Sequence, residues 1–222
     1  MPDLLRVLQH GDSFFPSGGV AFSLGLETLK EDGVVKDAVG IERLITSHLR
    51  QRWASTDRSF VANAHRAKDL DEARGLDSLL DAMTLPRELR EGSRRNGGAL
   101  LRVMAALGGS HAAGYRELVL AERAPGHLAV VQGLVYSERG LSIDESLAVA
   151  GHGLVVGMLA AALRLGMIGH VAAQASLTRL HDVLAEILGS PLLGINEVHA
   201  FTPLAEIAVM RHEAGDSRLF AN

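Results

Sequence analysis

A serine near the start of the chain is the first residue whose neighbours could support catalysis. Ser13 follows Gly11 and Asp12, and more glycines follow within the stretch GDSFFPSGGVAFSLGLE. A serine on a tight turn can act as a nucleophile when a base lies within hydrogen-bond reach. The same residues can also form a loop that leads into a helix, in which Asp12 or Ser13 accepts hydrogen bonds from free backbone N–H groups. The rest of the sequence favours the loop.

The surroundings of Ser13 do not supply the other parts of a hydrolase. Gly-Asp-Ser resembles the nucleophile block of GDSL-type esterases, in which the serine follows a β-strand and the base belongs to a late Asp-x-x-His. None of the ten histidines here has an aspartate three positions before it. The Gly-x-Ser-x-Gly elbow is also absent from the sequence. We therefore predict no catalytic residue and no enzymatic activity, and we retain a GDSL-like serine hydrolase only as an alternative.

Phosphate and metal sites have no clear sequence signal either. Gly-Lys does not occur, which excludes a Walker A loop, and the GHGLVVG stretch from Gly151 misses the dinucleotide fingerprint by one residue. No two histidines are three or four positions apart, so no pair shares a helix face at one-turn spacing. His212, Glu213 and Asp216 are predicted to form a solvated helix end, with transient metal contact as the alternative. We expect no cofactor and no tight metal site.

Arginines are concentrated in one predicted helix, at Arg87, Arg90, Arg94, Arg95 and Arg102. Acidic residues offset them, no aromatic residues are interleaved, and the whole chain has a formal net charge of −4. These features disfavour nucleic-acid binding. Because the planar guanidinium group pairs well with carboxylates, arginine is also common at protein interfaces. An ordinary surface helix and an interface are therefore both open interpretations.

The composition predicts an all-α fold. Leu and Ala dominate, aromatic residues make up only 4% of the chain, and no strand-like alternation extends beyond a few residues. HLAVVQGLVY, from His127, is compatible with either a helix or a strand. We predict one compact, bundle-like multi-helix domain over residues 1–214 and a short C-terminal tail over residues 215–222.

Helix-start signals occur at Asp37, at Pro86, at the capping box of Ser142 and Glu145, and at Thr202. Apolar spacing predicts further helices over residues 4–11, 20–33, 69–83, 111–123 and 127–138. After Asp37, helical spacing relates Ile41, Leu44, Ile45, His48, Leu49 and Trp53.

Residues 147–163 carry no full charge and are long enough to raise the question of a membrane span. Seventeen residues is the short end for a spanning helix, and Arg164 follows directly. We therefore predict a central helix buried in a soluble protein. The N-terminus has Asp3 and Arg6 in place of a signal peptide, and no cysteine is present. We expect a cytoplasmic protein without disulfides that does not interact with membranes.

The C-terminal sequence AGDSRLFAN is unusual for a chain end. Leu219 and Phe220 lie within four residues of the C-terminus, where chains usually fray and stay polar. Two bulky apolar side chains there either fold back onto the domain or bind another protein. Either outcome removes apolar surface from water, which is worth roughly 2 kcal/mol for each fully buried side chain.

Five blocks in order along the chain resemble the urease accessory protein UreF family. PSGGVAFSLGLE (16–27) follows its P-x-G-G-F-x-x-S-x-G-L-E pattern, and SRRNGGALL (93–101) follows S-R-R-x-G-R-x-L-L. GHLAVVQG (126–133) is similar to G-H-x-A-V-V-x-G, and RLGMIGHVAAQ (164–174) to R-L-x-P-L-G-Q-x-x-G-Q. RHEAGDSRLFAN (211–222) matches the ending M-R-H-E-x-x-x-S-R-L-F.

The resemblance implies an all-α accessory protein that assists nickel insertion into apo-urease and has no catalytic activity. It implies binding to the accessory protein UreD (also called UreH), recruitment of the GTPase UreG through that complex, and a homodimer. By position, the residues that would bind the UreD-like partner are Ser217, Arg218, Leu219 and Phe220. The interface or GTPase-facing candidates are Gly18, Gly19, Ser23, Glu27, Arg94 and Arg95.

Three positions depart from the family pattern. Gly98 replaces the arginine of the G-R pair in the S-R-R-x-G-R-x-L-L pattern, His170 replaces a glutamine, and Val20 replaces an aromatic residue. We expect helix packing to tolerate these changes. An alternative function is that of a GTPase-activating protein, in which Arg94 or Arg95 would be supplied to UreG.

Overall fold

The computed structural model describes residues 2–12, 15 and 23–213, and every regular element among them is helical. This confirms the predicted all-α fold. The predicted tail and its boundary after residue 214 lie outside the described residues. The elements are α1 (Pro2–Gly11), α2 (Leu26–Glu31), α3 (Ala38–His48), a π-helical segment (Leu49–Asp57), α4 (Arg58–His65), α5 (Leu70–Met83), α6 (Arg87–Ala106), α7 (Ser110–Leu120), α8 (Leu128–Glu138), α9 (Ile143–Arg164), α10 (His170–Leu188) and α11 (Pro203–Glu213).

The helix-start signals are confirmed where they could be read from local chemistry. The Asp37 carboxylate accepts a hydrogen bond from the Gly40 N–H at 2.8 Å and caps α3. Both halves of the capping box between Ser142 and Glu145 are present at the start of α9. The HLAVVQGLVY stretch is helical and forms most of α8. Free N–H groups in a first helical turn account for the reliability of these signals.

The predicted helix over residues 20–33 is wrong in its length. Among the described residues of that range, α2 begins only at Leu26. Leu24 and Gly25 directly before it have φ values of +50° and +86°. A left-handed backbone cannot continue a right-handed helix.

Two apolar clusters form the core, and α9 contributes to both. The first cluster includes Phe60, Leu100 and Val131, from α4, α6 and α8. The second includes Ile41 and Trp53, together with residues of α9 and α10. The apolar face predicted for α3 is thus confirmed as a buried face.

Helix α9 is the one helix in the described part of the chain whose length and composition would allow it to cross a membrane. It packs against α10, α4, α8 and α1. Val155, Met158 and Ala161 on α9 are buried within the protein. The prediction that the charge-free segment forms a central buried helix is therefore confirmed.

The π-helical segment joins α3 to α4 and binds the chain that connects α10 to α11. The His199 N–H donates to the Ser55 carbonyl at 3.1 Å, and the Phe201 N–H donates to the Gln51 carbonyl at 2.9 Å. Further along, the Arg58 guanidinium donates to the Pro191 carbonyl at 2.6 Å. These bonds fix the start of α11 against the centre of the fold.

His48 makes stability dependent on pH. Burial, with a smaller repulsion from Arg52, lowers the pKa of His48 to about 4 from the ordinary 6.5. Between pH 6.5 and about 4 the unfolded chain binds a proton at this histidine and the folded protein does not. The free energy of unfolding is therefore highest above pH 6.5 and decreases as the pH falls towards 4. Relative to a His48→Leu variant, wild type should lose about 3 kcal/mol of unfolding free energy across that interval.

Urea denaturation at pH 7, 6, 5 and 4 would measure this difference. The matched control is His170→Leu, which makes the same replacement at an exposed histidine. Parallel curves for wild type and His48→Leu would contradict the assignment.

Candidate partner-binding surface

Helix α11 presents a row of apolar side chains to solvent. Leu204, Ile207 and Met210 are 54%, 52% and 49% exposed, and Phe201 just before the helix is 68% exposed. Spacing of three residues puts the helical members of this row on one side of α11. Grouped exposed apolar side chains are typical of protein interaction sites. We call these four residues the α11 apolar face; the predicted tail begins just beyond its helix.

The opposite side of α11 packs closely on the body of the protein. Ala205, Ala208 and Val209 are buried, and α11 packs against α2 and α6. At Gly25 an added Cβ would lie 2.9 Å from the Ala205 carbonyl oxygen. Gly25 is therefore required both by its positive φ and by the close approach of α11.

His212 connects the last turn of α11 to two other helices. Its Nε2 lies 3.1 Å from a Glu27 carboxylate oxygen on α2, and its Nδ1 lies 3.2 Å from Glu88 on α6. Both ring nitrogens donate to these carboxylates when the imidazole is protonated. We call this group the His212 cluster; it joins three segments that are far apart in the sequence.

The prediction of a solvated helix end is wrong at His212, whose exposed fraction is 5%. The buried side of α11 extends into its final turn, so the polar ring lies inside and finds charged partners there. The spacing of Ala205, Ala208 and His212 follows the i, i+3, i+7 pattern of a buried stripe. That spacing is the sequence signal that would have identified a buried histidine.

Two ion pairs hold the exposed side of the same turn. Arg211 donates to both carboxylate oxygens of Asp32, at 2.5 and 3.0 Å. Glu213 pairs with Arg87 of α6. Arg211 is more than half exposed, so these pairs orient the helix end more than they stabilise the fold.

Several predicted partner-binding residues can now be placed. Ser23 is fully buried, and its hydroxyl oxygen accepts a hydrogen bond from the Glu27 N–H at 3.5 Å. Glu27 is 5% exposed and belongs to the His212 cluster. Both side chains thus lie inside the domain, below its surface. Gly18, Gly19 and residues 217–220 lie outside the described residues, as does Ser13, and their assigned roles stay predictions.

Some arginines of the arginine-rich helix α6 bind other groups of the protein, and others are exposed. Arg94 donates to the Asp81 carboxylate at 2.5 Å, and Arg90 donates to the Thr84 carbonyl at 2.9 Å. Arg95 and Arg102 are exposed on α6. A finger role for Arg94 would require the Asp81 pair to break, so the supply of an arginine to a GTPase stays a prediction.

Asp81 also contacts a ring nitrogen of His127 at 2.8 Å. Partial burial would raise the pKa of Asp81, but hydrogen bonds from His127 and Arg94 outweigh it and lower the pKa below the ordinary value. The carboxylate is therefore ionised at neutral pH and holds both partners.

The start of α8 is capped by side chains from other helices. Asp77 of α5 is fully buried and accepts hydrogen bonds from the N–H groups of Gly126 and His127 at 2.6 and 2.9 Å. It also accepts from the Tyr115 hydroxyl at 2.7 Å. Ser93 of α6 accepts from the Leu128 N–H at 3.1 Å. An acidic group near a helix N-terminus is electrostatically favourable.

Sequence reasoning missed Asp77. It lies between Ala73 and Leu80 on the buried side of α5, and a polar residue within an apolar stripe was the signal that could have identified it. The bond from the Leu128 N–H to Ser93 shows that the SRRNGGALL and GHLAVVQG blocks meet in space.

Comparison with known proteins gives consistent matches along the chain. A family model described as UreF matches residues 35–181. A urease accessory protein UreF of Arthrobacter sp. (strain FB24) is 33% identical over 218 residues, covering 97% of this chain and 96% of that protein. One of Trichodesmium erythraeum (strain IMS101) is 30% identical over 226 residues, covering 98% and 96%. The urease accessory protein UreF 1 of Brucella melitensis biotype 1 is 29% identical over 231 residues, covering 100% and 94%.

Proposed function

This chain belongs to the UreF family of urease accessory proteins, and from this premise we propose that it acts as a non-catalytic adaptor in urease maturation. It would hold a UreD/UreH-like accessory protein and a UreG-like GTPase together while nickel is delivered to apo-urease. The proposal includes a homodimeric state, which the resemblance to the family implies, and a cytoplasmic location.

The observation that carries the proposal is the α11 apolar face. Its four side chains are about half exposed or more. Burying one such side chain fully contributes about 1.5–3 kcal/mol relative to leaving it exposed. An exposed cluster of this kind costs solubility in an isolated protein, and a protein partner that covers it removes that cost.

The way α11 is held also supports an adaptor. The His212 cluster and the Arg211–Asp32 pair fix the final turn, and the bonds from His199 and Phe201 to the π-helical segment fix the chain before the helix. A binding surface that is already in place loses little conformational entropy on association. The tail that follows would then add Leu219 and Phe220 to the same contact.

Two variants test this proposal: Ile207→Asp and a deletion of residues 215–222. We expect each to weaken binding to the UreD/UreH-like protein of the same organism by about 2 kcal/mol or more, roughly 30-fold in Kd. Titration calorimetry with the purified partner measures the affinity. Thermal unfolding should show that both variants remain folded, since neither change alters a buried residue of the described domain.

Val171→Asp is the matched control. Val171 is 86% exposed on α10, so a charge there tests whether any exposed apolar position matters equally. Unchanged affinity in both test variants, or an equal loss in the control, would refute a role of the α11 apolar face and tail. In cells, the deletion should also abolish activation of co-expressed urease.

A further inference from the structure

Two histidines on neighbouring helices lie side by side at the surface. The Nδ1 of His152 on α9 is 3.3 Å from the Nε2 of His181 on α10. The ring planes are inclined at 34° and the ring centroids are 5.4 Å apart. His181 is exposed and His152 is partly exposed, so the pair lies at the surface of the protein.

The separation of the nitrogens fits shared coordination of one ion. Imidazole nitrogens bind Zn²⁺ at about 2.0–2.1 Å, and bond angles between about 90° and 109° then put two such nitrogens about 2.9–3.4 Å apart. The observed 3.3 Å falls in this interval. It is also within reach of a hydrogen bond between the two rings, in which one nitrogen donates and the other accepts. The pair is thus spaced as well for an ion as for a direct hydrogen bond.

We infer that His152 and His181 form a surface binding site for a divalent transition-metal ion. Paired imidazoles select Ni²⁺, Zn²⁺ or Cu²⁺ over Mg²⁺ and Ca²⁺, which prefer oxygen ligands. Two protein ligands leave the other coordination positions to water, so the ion exchanges readily, unlike an ion in a closed structural site. Within the described residues, no group of three or more histidine or acidic side chains is arranged to hold a metal. The inference rests on this geometry and holds whether or not the adaptor proposal does.

The site also has a structural consequence. An ion shared by α9 and α10 would link positions 29 residues apart in the chain. Ligands that bind only the folded state raise its stability by an amount that depends on ion concentration. Ni²⁺ should therefore raise the midpoint of urea unfolding in the wild type, and Mg²⁺ should not.

The test uses full-length protein from which any affinity tag has been removed. Equilibrium dialysis against NiCl₂ and, separately, ZnCl₂ compares wild type with His181→Ala and His152→Ala. Each variant is expected to bind one fewer ion per chain, or to show at least a tenfold higher Kd for that ion. His170→Ala is the matched control, because His170 is an exposed histidine on the same helix as His181.

Paramagnetic broadening locates the ion independently. In a ¹⁵N-labelled sample, substoichiometric Ni²⁺ should first broaden amide signals near residues 152 and 181. Unchanged stoichiometry and affinity in both pair variants would overturn the inference, as would an equal loss in the control. His181→Ala replaces an exposed side chain, so its result stands even if His152→Ala fails to fold.

Discussion

Replacing Gly97 with alanine is expected to destabilise the protein severely, whereas the same change at Gly98 is expected to stabilise it slightly. A Cβ at Gly97 would lie 2.0 Å from the Gly126 carbonyl oxygen. That oxygen belongs to the backbone just before α8, so relief requires α6 and α8 to separate. Overpacking of this kind costs about 1–3 kcal/mol and more where backbone must move; we expect a loss of about 3 kcal/mol or more.

Gly98 is the control that the chain itself supplies. A Cβ there meets no atom within 4 Å, and alanine in a helix interior is better than glycine by about 0.5–1 kcal/mol. Urea denaturation followed by far-UV circular dichroism measures both variants under one set of conditions. Changes of the same sign in the two variants would show that the contact between α6 and the start of α8 is not as close as described.

Removal of the Asp77 carboxylate should have an effect of similar size. In Asp77→Ala, the N–H groups of Gly126 and His127 and the hydroxyl of Tyr115 lose their acceptor in the interior. Each buried polar group left without a partner costs about 1–3 kcal/mol. We therefore expect a loss of about 3–5 kcal/mol, which is a large part of the stability of a typical domain.

Asp77→Asn separates the hydrogen bonds from the charge. The amide keeps one acceptor oxygen of similar shape, so its unfolding free energy should fall between those of wild type and Asp77→Ala. Asp182→Ala on the exposed side of α10 is the control and should change stability by less than about 0.5 kcal/mol. Wild-type stability in Asp77→Ala would contradict the capping role.

Local signals predicted most of the fold. The start of α3 at Asp37 and the capping box at Ser142 depend on atoms within four residues of each other, and the apolar stripe of α3 depends on helical spacing alone. The start of α2 was predicted too early because the positive φ of Leu24 cannot be recognised from the residue type. Leucine rarely adopts that conformation, and the close approach of α11 to the neighbouring Gly25 comes from residues far away in the sequence.

The candidate site was less predictable because its contacts are remote in sequence. Glu27 and His212 are 185 positions apart, and no spacing rule relates them. Rules for paired histidines likewise consider one helix at a time, so they overlooked His152 and His181 on adjacent helices. For the arginine-rich block, sequence similarity pointed to partner contact, whereas Ser93 and Gly97 in that block serve the junction with α8.

Because residues 199–201 are bonded to the π-helical segment, the connection between α10 and α11 should tolerate a change of residue type there better than a change of length. The two bonds made by His199 and Phe201 use main-chain atoms only, and such bonds form with almost any residue type except proline. Amino-acid replacements other than proline at positions 199 and 201 should therefore preserve these two bonds. Lengthening or shortening the connection by one residue would shift the two N–H donors out of register with the carbonyls of Gln51 and Ser55. It would thereby displace α11 from its packing against α2 and α6.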